Sequence, residues 1–417
     1  MANEHRNRFA RISRQTLKGL TFDDCIDTFK AVEDYCQFLV GAGQLECDRD
    51  VNAAELKQIF APRSHTMNMT LAMEQNLRRK ELPWDDEIWN RIDRAVHDEC
   101  KRTKIACKFL PLHGPVESGK LTVPSDTIEV DENNRLQVPE ARTDYLLELV
   151  VEFVLTLQQV EREEELGTAV TLATRAANLL SQAFDVVIFQ GVNSITPGEN
   201  QHPLFRDRKV IARSGPANQG LLNAPRSEST GEDNLQQIIH VPALETPGPQ
   251  QRWGENTFGA VSEAYARLQG GEGLAQAHYG PYALVLNFVP YADTYAPLPT
   301  TLIMPADRIA RLVTNGFYGM KSRKDMSYEK EMQSMGNNSS THSYGGCTHF
   351  YGTGTLPPLK GVLVSLGGNT MDLVVGMDDQ AEYVTQDAQG NFCFRVYERF
   401  ALRLKDKTAV MRLEFDK

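Results

Sequence analysis

The sequence predicts an α+β fold, because helical and strand-like patterns occupy different parts of the chain. Between residues 168 and 189 apolar side chains recur at the spacing of one helix face, and Gly191 follows as a stop signal. Between residues 361 and 415 apolar and polar residues alternate with the period of two that is typical of strands. Turn residues at 367–369 and 387–391 divide this C-terminal block into a predicted meander of antiparallel strands.

Length and composition indicate an ordinary globular protein. The 417 residues suffice for about two to three domains, and the net charge of −11 argues against nucleic acid as a partner of the whole molecule. No apolar run reaches the roughly 18 residues of a membrane helix, and the first residues lack the apolar core of a secretory signal. Seven cysteines without short paired spacing indicate reduced thiols, so we expect a cytoplasmic protein with no membrane partner.

The first 79 residues are predicted to form a helical extension and a linker. Residues 1–20 carry five basic side chains against one acid, which suits a basic arm or, as the favoured interpretation, a solvated helix. Thr21 then begins a strongly amphipathic helix that ends at Gly41, and residues 51–60 form a shorter one.

A helix and a long arm are predicted next. Asp85 is the expected N-cap of the helix, and an extended segment then leads to Gly114 and Pro115. Residues 116–160 are predicted as an arm of two strands, because every second residue between 147 and 157 is apolar. A lone arm of this length cannot bury its apolar side. We therefore expect it to pack on the body of the protein or on a neighbouring subunit.

Two groups of potential metal ligands give no convincing site. The glutamates between 161 and 165 form an uninterrupted charge run, which favours a solvated turn before the long helix. His342, Cys347 and His349 could supply three zinc ligands, but their spacing fits no common structural site and no fourth ligand is evident. We therefore expect a surface loop at residues 315–358 and neither metal nor cofactor.

Several blocks of the sequence resemble, in the same order, the encapsulin family. They are Pro-x-x-x-x-x-Trp-x-x-Ile-Asp at 83–93, Val-Ile-Phe-x-Gly at 187–191, a Gly-Gly turn at 367–368, Gly-x-Asp at 376–378, and Tyr383. Encapsulins form hollow protein shells on the fold of tailed-phage major capsid proteins. The resemblance implies that α+β fold, with a peripheral domain, an extended loop and an apical domain, to which this chain adds its α-helical N-terminal extension.

The resemblance also implies a division of the chain and a function. The predicted segments are the extension and linker 1–79, the first shell-domain helix and segment 80–115, the extended loop 116–160, the spine helix and peripheral domain 161–250, the apical domain 251–360 with an enlarged pore loop at 315–358, and the C-terminal strands of the peripheral domain at 361–417. Many copies would close into an icosahedral compartment in a prokaryotic cytoplasm. The chain would be a shell protein and not an enzyme, enclosing a cargo enzyme and admitting small molecules through pores.

The site residues follow from the same resemblance. A cargo protein's terminal targeting peptide would bind a groove formed by Ile105, Phe109 and Leu112 on one side and by Ala381 and Tyr383 on the other. Residues 379–382 are more polar than the family pattern, so we hypothesise that the N-terminal extension covers or replaces part of the groove. The predicted pore-loop residues are Tyr328, His342, Tyr344, Cys347 and His349.

Two other functions stay open on the sequence alone. A phage or prophage major capsid protein would share the fold and enclose a genome, and the basic residues of 1–20 favour this reading slightly. A hydrolase site hidden in the apical insertions is a weaker alternative, since no nucleophile elbow, paired metal motif or dinucleotide fingerprint is present.

Overall fold

The computed structural model describes residues 78–116, 120–130, 133, 135–139, 142–198, 200–213, 215, 218–227, 231–245, 252–270, 277–297, 303–320 and 356–416. All of them belong to one structural unit, residues 66–417. The predicted N-terminal helices lie outside the described residues, and so do the five predicted pore-loop residues Tyr328, His342, Tyr344, Cys347 and His349.

The described residues form helices and strands in the following order. The helices are α1 Asp86–Thr103, α2 Leu157–Glu161, α3 Glu163–Leu166, α4 Thr168–Gln190, α5 Pro203–Arg206, α6 Glu255–Leu268, α7 Phe288–Asp293 and α8 Pro305–Leu312. The strands are β1 Leu112–His113, β2 Thr122–Pro124, β3 Glu129–Val130, β4 Leu136–Gln137, β5 Thr143–Tyr145, β6 Leu147–Leu155, β7 Ile211–Arg213, β8 Ile238–Val241, β9 Tyr282–Asn287, β10 Phe317–Met320, β11 Lys360–Ser365, β12 Met371–Gln386, β13 Phe392–Leu404 and β14 Val410–Phe415.

Helices α1 and α4 pack together against a five-stranded sheet of order β1-β12-β13-β6-β7, which we call the first sheet. Asp85 begins α1, as predicted, since its side chain accepts a hydrogen bond from the backbone N–H of Ile88. Gly191 ends α4 with φ 67°, and a Cβ there would lie 2.0 Å from the carbonyl oxygen of Gln219. The close approach of these two backbones therefore requires glycine.

The glutamate run before α4 is helical and only partly solvated, because Glu161, Glu164 and Glu165 are exposed, as predicted, whereas Glu163 is buried. Glu163 is 1% exposed, and its carboxylate accepts hydrogen bonds from the backbone N–H groups of Ala169 (2.7 Å) and Val170 (3.2 Å). It thus satisfies donors in the first turn of α4, where a negative charge is also favoured by the helix dipole. The N-cap of α4 is Gly167, and no side chain at that position supplies a cap hydrogen bond.

A second five-stranded sheet, of order β10-β9-β11-β14-β8, carries helices α6 and α8. Its core includes Trp253, which is fully buried and whose ring meets that of Phe415 edge-on. Asp293, in α7, accepts backbone hydrogen bonds from Arg252, Trp253 and Gly254. This carboxylate fixes the point at which α6 begins.

The C-terminal strands do not form one meander, so that prediction was wrong. Strands β12 and β13 pair with each other in the first sheet, whereas β11 and β14 pair with each other in the second. The chain crosses from the second sheet to the first between Ser365 and Met371, and returns between Leu404 and Val410. Alternation of apolar residues defines the faces of a strand but not its partner, because the same pattern suits either sheet.

The predicted arm is shorter than residues 116–160. Strand β6 lies inside the first sheet between β13 and β7, and Leu157–Glu161 is helical. The arm consists of the two-stranded pairs β2-β5 and β3-β4. The first five residues of β6 are all buried, so this part of the strand is covered on both faces. The alternation of apolar residues between 147 and 157 therefore belongs to a core strand and not to an arm.

The segment after α1 is held by a buried carboxylate of α4. Asp185 is fully buried and accepts hydrogen bonds from the backbone N–H groups of Ile105 (3.0 Å) and Ala106 (3.1 Å). The chain then reaches Phe109, whose ring packs on Phe189 of α4 and on Tyr318 of β10. Asp185 therefore fixes the place where the first sheet and its helices meet the second sheet.

We expect Asp185→Ala to destabilise the protein by about 3 kcal/mol, because two buried N–H groups lose their acceptor. Asp185→Asn keeps one acceptor oxygen and should lose less. Thermal unfolding measures the difference, and hydrogen exchange should accelerate at residues 104–108. Asp98→Ala, at an exposed position of α1, is the control. Equal melting temperatures for the alanine variants of Asp185 and Asp98 would contradict this role.

Candidate functional site

An aromatic cluster joins the start of α1 to the ends of β12, β13 and β6. The ring of Phe394 stacks on Trp84 at 5.3 Å and on Phe153 at 5.2 Å, and lies 5.5 Å from that of Tyr383. Trp84 meets Trp89 edge-on at 5.2 Å and donates its indole N–H to the carbonyl oxygen of residue 160. All of these rings are buried except that of Phe153, which is partly buried, and large rings of this kind dominate the energetics of a contact.

Two arginines, the first residues that the structure describes, contact the residues around this cluster. Arg79 makes two hydrogen bonds to the carboxylate of Asp93, at 2.8 and 2.9 Å, and its guanidinium lies 4.5 Å from the ring centre of Trp89. It also donates to the carbonyl oxygen of Ala381 at 3.1 Å. Arg78 pairs with Glu382 at 3.4 Å. Residues 78 and 79, the last of the extension and linker, therefore contact strand positions 382 and 381.

A buried ionic cluster lies farther along α1 and β12. The ammonium group of Lys104 is 2.6 Å from Glu398 and 3.2 Å from Asp379, and all three side chains are at most 7% exposed. Burial raises the pKa of Glu398 to about 7, against the opposing effect of Lys104, and it raises the pKa of Asp379 as well. Burial alone would lower the pKa of Lys104, but the surrounding negative groups, Glu398 foremost, raise it well above its ordinary value.

The five residues predicted to bind cargo do not form one groove among the described residues. Ala381 and Tyr383 are buried beside the aromatic cluster. Ile105 and Phe109 are buried beyond the other end of α1, which at 18 residues is about 27 Å long. Leu112 is 62% exposed and pairs in β1 with β12.

Sequence reasoning missed the residues that organise this face. The polar stretch 379–382 looked like a departure from the family groove, whereas Asp379 pairs with Lys104 and Glu382 pairs with Arg78 and Arg395. The sequence did indicate that these ion pairs exist, because two carboxylates within a half-buried strand require cationic partners. The sequence did not reveal which lysine or arginine would supply them.

Comparison with known proteins supports the interpretation of the fold. A family model described as an encapsulating protein for peroxidase matches residues 73–203. The type 1 encapsulin shell protein of Myxococcus xanthus is 24% identical over 355 residues, which are 82% of this chain and 97% of that protein. A diheme-cytochrome–encapsulin shell fusion protein of Kuenenia stuttgartiensis is 28% identical over 127 residues, covering 28% of this chain and 35% of the fusion.

Solved structures with a similar chain path include a virus-like particle from Pyrococcus furiosus, at 14% identity and a TM-score of 0.47, covering 78% of this chain and 99% of the other. An encapsulin complex from Synechococcus elongatus is similar at 11% identity and a TM-score of 0.38, covering 75% of this chain and 86% of the other. Within the described part of the chain, no helix combines the length and apolarity needed to span a membrane.

The similarity to the Myxococcus xanthus protein and to the family model indicates a structural shell protein. The chain is similar to encapsulin shell proteins, over residues 73–203 in the family model and over 82% of its length in the Myxococcus xanthus protein, and its fold is of the α+β class. The predictions of family, fold class and shell function are thereby confirmed. The predicted cargo-binding and pore residues are not tested by these similarities and stay predictions.

We expect Lys104→Met to destabilise the subunit by about 3–5 kcal/mol, because two buried carboxylates then lack their cation. Lys101→Met is the matched control, since Lys101 is exposed on the same helix. Adding Glu398→Gln to Lys104→Met should recover part of the loss by removing one of the buried charges. Thermal or urea unfolding provides the measurement. If the methionine variants at 101 and 104 unfold alike, the cluster does not stabilise the fold.

Proposed function

We propose that many copies of this chain close into an icosahedral compartment that encloses a cargo enzyme and admits small molecules through pores. The observation that carries the proposal is the similarity to the Myxococcus xanthus shell protein, which extends over 97% of that relative. We further propose that the compartment assembles in a prokaryotic cytoplasm, as the unpaired cysteine spacing suggests.

The arm gives a physical reason for assembly. Four of its large apolar side chains are about half exposed or more: Leu121 (56%), Leu136 (67%), Val138 (49%) and Tyr145 (48%). Short two-stranded pairs such as β2-β5 and β3-β4 have no core of their own. Contact with a neighbouring copy would remove this apolar surface from water.

Electron microscopy of the recombinant protein, with the 260/280 nm absorbance ratio of the same fraction, tests the shell. We expect uniform closed particles without nucleic acid. The chain is acidic, which disfavours nucleic-acid binding, and the proposed content of the shell is a protein. Closed particles rich in nucleic acid would instead identify a phage-type capsid, which the basic residues of 1–20 favour. A small oligomer at every salt concentration and pH would contradict both.

We also propose that the N-terminal extension covers part of the surface on which a cargo peptide would bind. Support comes from the two anchors at its C-terminal end, Arg78 on Glu382 and Arg79 on the carbonyl oxygen of Ala381. Both contacts lie beside Tyr383, one of the predicted cargo-binding residues.

The loop between β10 and β11 is proposed to line or narrow a pore. It would present Tyr328, His342, Tyr344, Cys347 and His349 to passing molecules. The described residues on either side, Met320 and Leu356, are buried in the protein, so both ends of the loop are firmly attached.

Deleting residues 1–75 should tighten the binding of a cargo-derived targeting peptide to the assembled shell, because the peptide would no longer compete with the extension. Deleting only residues 1–20 is the control and should leave the affinity unchanged, because the predicted helices remain. Fluorescence polarisation with a labelled peptide measures both. Equal affinities for the full chain and the 1–75 deletion would contradict the covering role.

A further inference from the structure

A β-bulge brings two consecutive carboxylates to the side of α1. In the pairing of β12 with β13, Met377 lies opposite Arg399 and Gln380 opposite Tyr397, so Asp378 and Asp379 together face one residue, Glu398. In a regular strand, consecutive side chains point to opposite faces of the sheet. The bulge changes this, as bulges near functional sites often do by redirecting a side chain.

His97 of α1 completes a set of three potential ligands. One imidazole nitrogen of His97 and one carboxylate oxygen from each of Asp378 and Asp379 all lie within 4.8 Å of one another. His97 is 56% exposed at its side chain, so its ring is free to turn toward the two carboxylates. Nitrogen and oxygen donors in this combination suit borderline divalent metals such as zinc.

Asp379 supplies a second observation that points to a cation. Its side chain is only 4% exposed, and its Oδ1 atom accepts a hydrogen bond from Lys104 at 3.2 Å. Its Oδ2 atom is buried, lies 3.6 Å from Nδ1 of His97, and accepts no hydrogen bond from any residue that the structure describes. A buried carboxylate oxygen without a donor is costly, and a bound cation would satisfy it.

The side chains around Asp379 also include more negative groups than positive ones, which favours a bound cation. Three carboxylates, those of Asp378, Asp379 and Glu398, surround the single ammonium of Lys104. The carboxylates of this group therefore outnumber its ammonium. Lys104 lies on the Oδ1 side of Asp379 and neutralises one carboxylate, so the Oδ2 side toward His97 remains available.

We propose that His97, Asp378 and Asp379 bind a divalent transition-metal ion, with zinc as the best match. Each residue supplies one ligand atom and water completes the coordination. Zinc–ligand distances of about 2.0–2.2 Å require the three side chains to close slightly around the ion. Because His97 belongs to α1 and the aspartates belong to β12, the ion ties the helix to the bulge two residues before the strand position that Arg79 contacts.

The test is calorimetric titration of the assembled full-length shell with zinc chloride at neutral pH. His97→Gln and Asp378→Asn should each weaken one site per chain by at least about 10- to 100-fold. Both residues are exposed, so neither change threatens folding. His113→Gln, at an exposed histidine of β1, should bind zinc as the unmodified chain does.

The histidines of the pore loop require a separate control. The double variant His342→Gln/His349→Gln should keep the site, and hydrogen exchange should slow at residues 94–101 and 376–380 when zinc is added to it. The proposal is overturned if His97→Gln binds zinc like the unmodified chain, or if the site disappears in the loop double variant. Displacement of zinc by an equal concentration of magnesium would also overturn it, because magnesium prefers ligand sets made of oxygen alone.

Discussion

The pair of hydrogen bonds that Asp185 accepts determines how the rest of the subunit is arranged. A carboxylate near the C-terminal end of α4 accepts hydrogen bonds from two backbone N–H groups just beyond α1, and so holds the chain where that helix ends. From there the chain passes Phe109, whose ring touches both α4 and the second sheet, and enters β1 beside β12. This short stretch of chain therefore contacts both long helices, the first sheet and the second sheet. A buried charge is tolerated because its two donors compensate for lost hydration.

The same device recurs at two other places. Glu163 accepts backbone hydrogen bonds in the first turn of α4, and Asp293 accepts them where α6 begins. In each case the acid comes from a different element than the helix it serves, unlike an ordinary N-cap such as Asp85. A local cap stabilises one helix, whereas these remote caps also hold two elements together. Three buried carboxylates thus set the geometry of a fold whose surfaces must match those of identical copies.

The sequence predicts where individual helices and strands begin and end better than it predicts which elements pair or pack with each other. The cap at Asp85 and the end of α4 at Gly191 depend on neighbouring residues, and both are found in the structure. The division of the C-terminal strands between two sheets could not be predicted, because a strand's alternation is the same whichever sheet it joins. The candidate site was predicted only in part. Ala381 and Tyr383 lie beside the anchors of the extension, but Phe109 is a junction residue, and nothing local to 379–382 indicates that Lys104 and Arg78 are the partners.

The position of β14 has a consequence for the timing of biosynthesis. This strand, residues 410–415, lies inside the second sheet between β11 and β8. A ribosome therefore releases β8, β9 and β10 long before the strand that joins β8 to the others exists. The second sheet has no continuous hydrogen-bonded order until residue 415 has emerged. The second sheet of each subunit is therefore completed only after residue 415 has been synthesised. The surfaces that contact other copies form after that point, so the folding of each subunit precedes its addition to the shell.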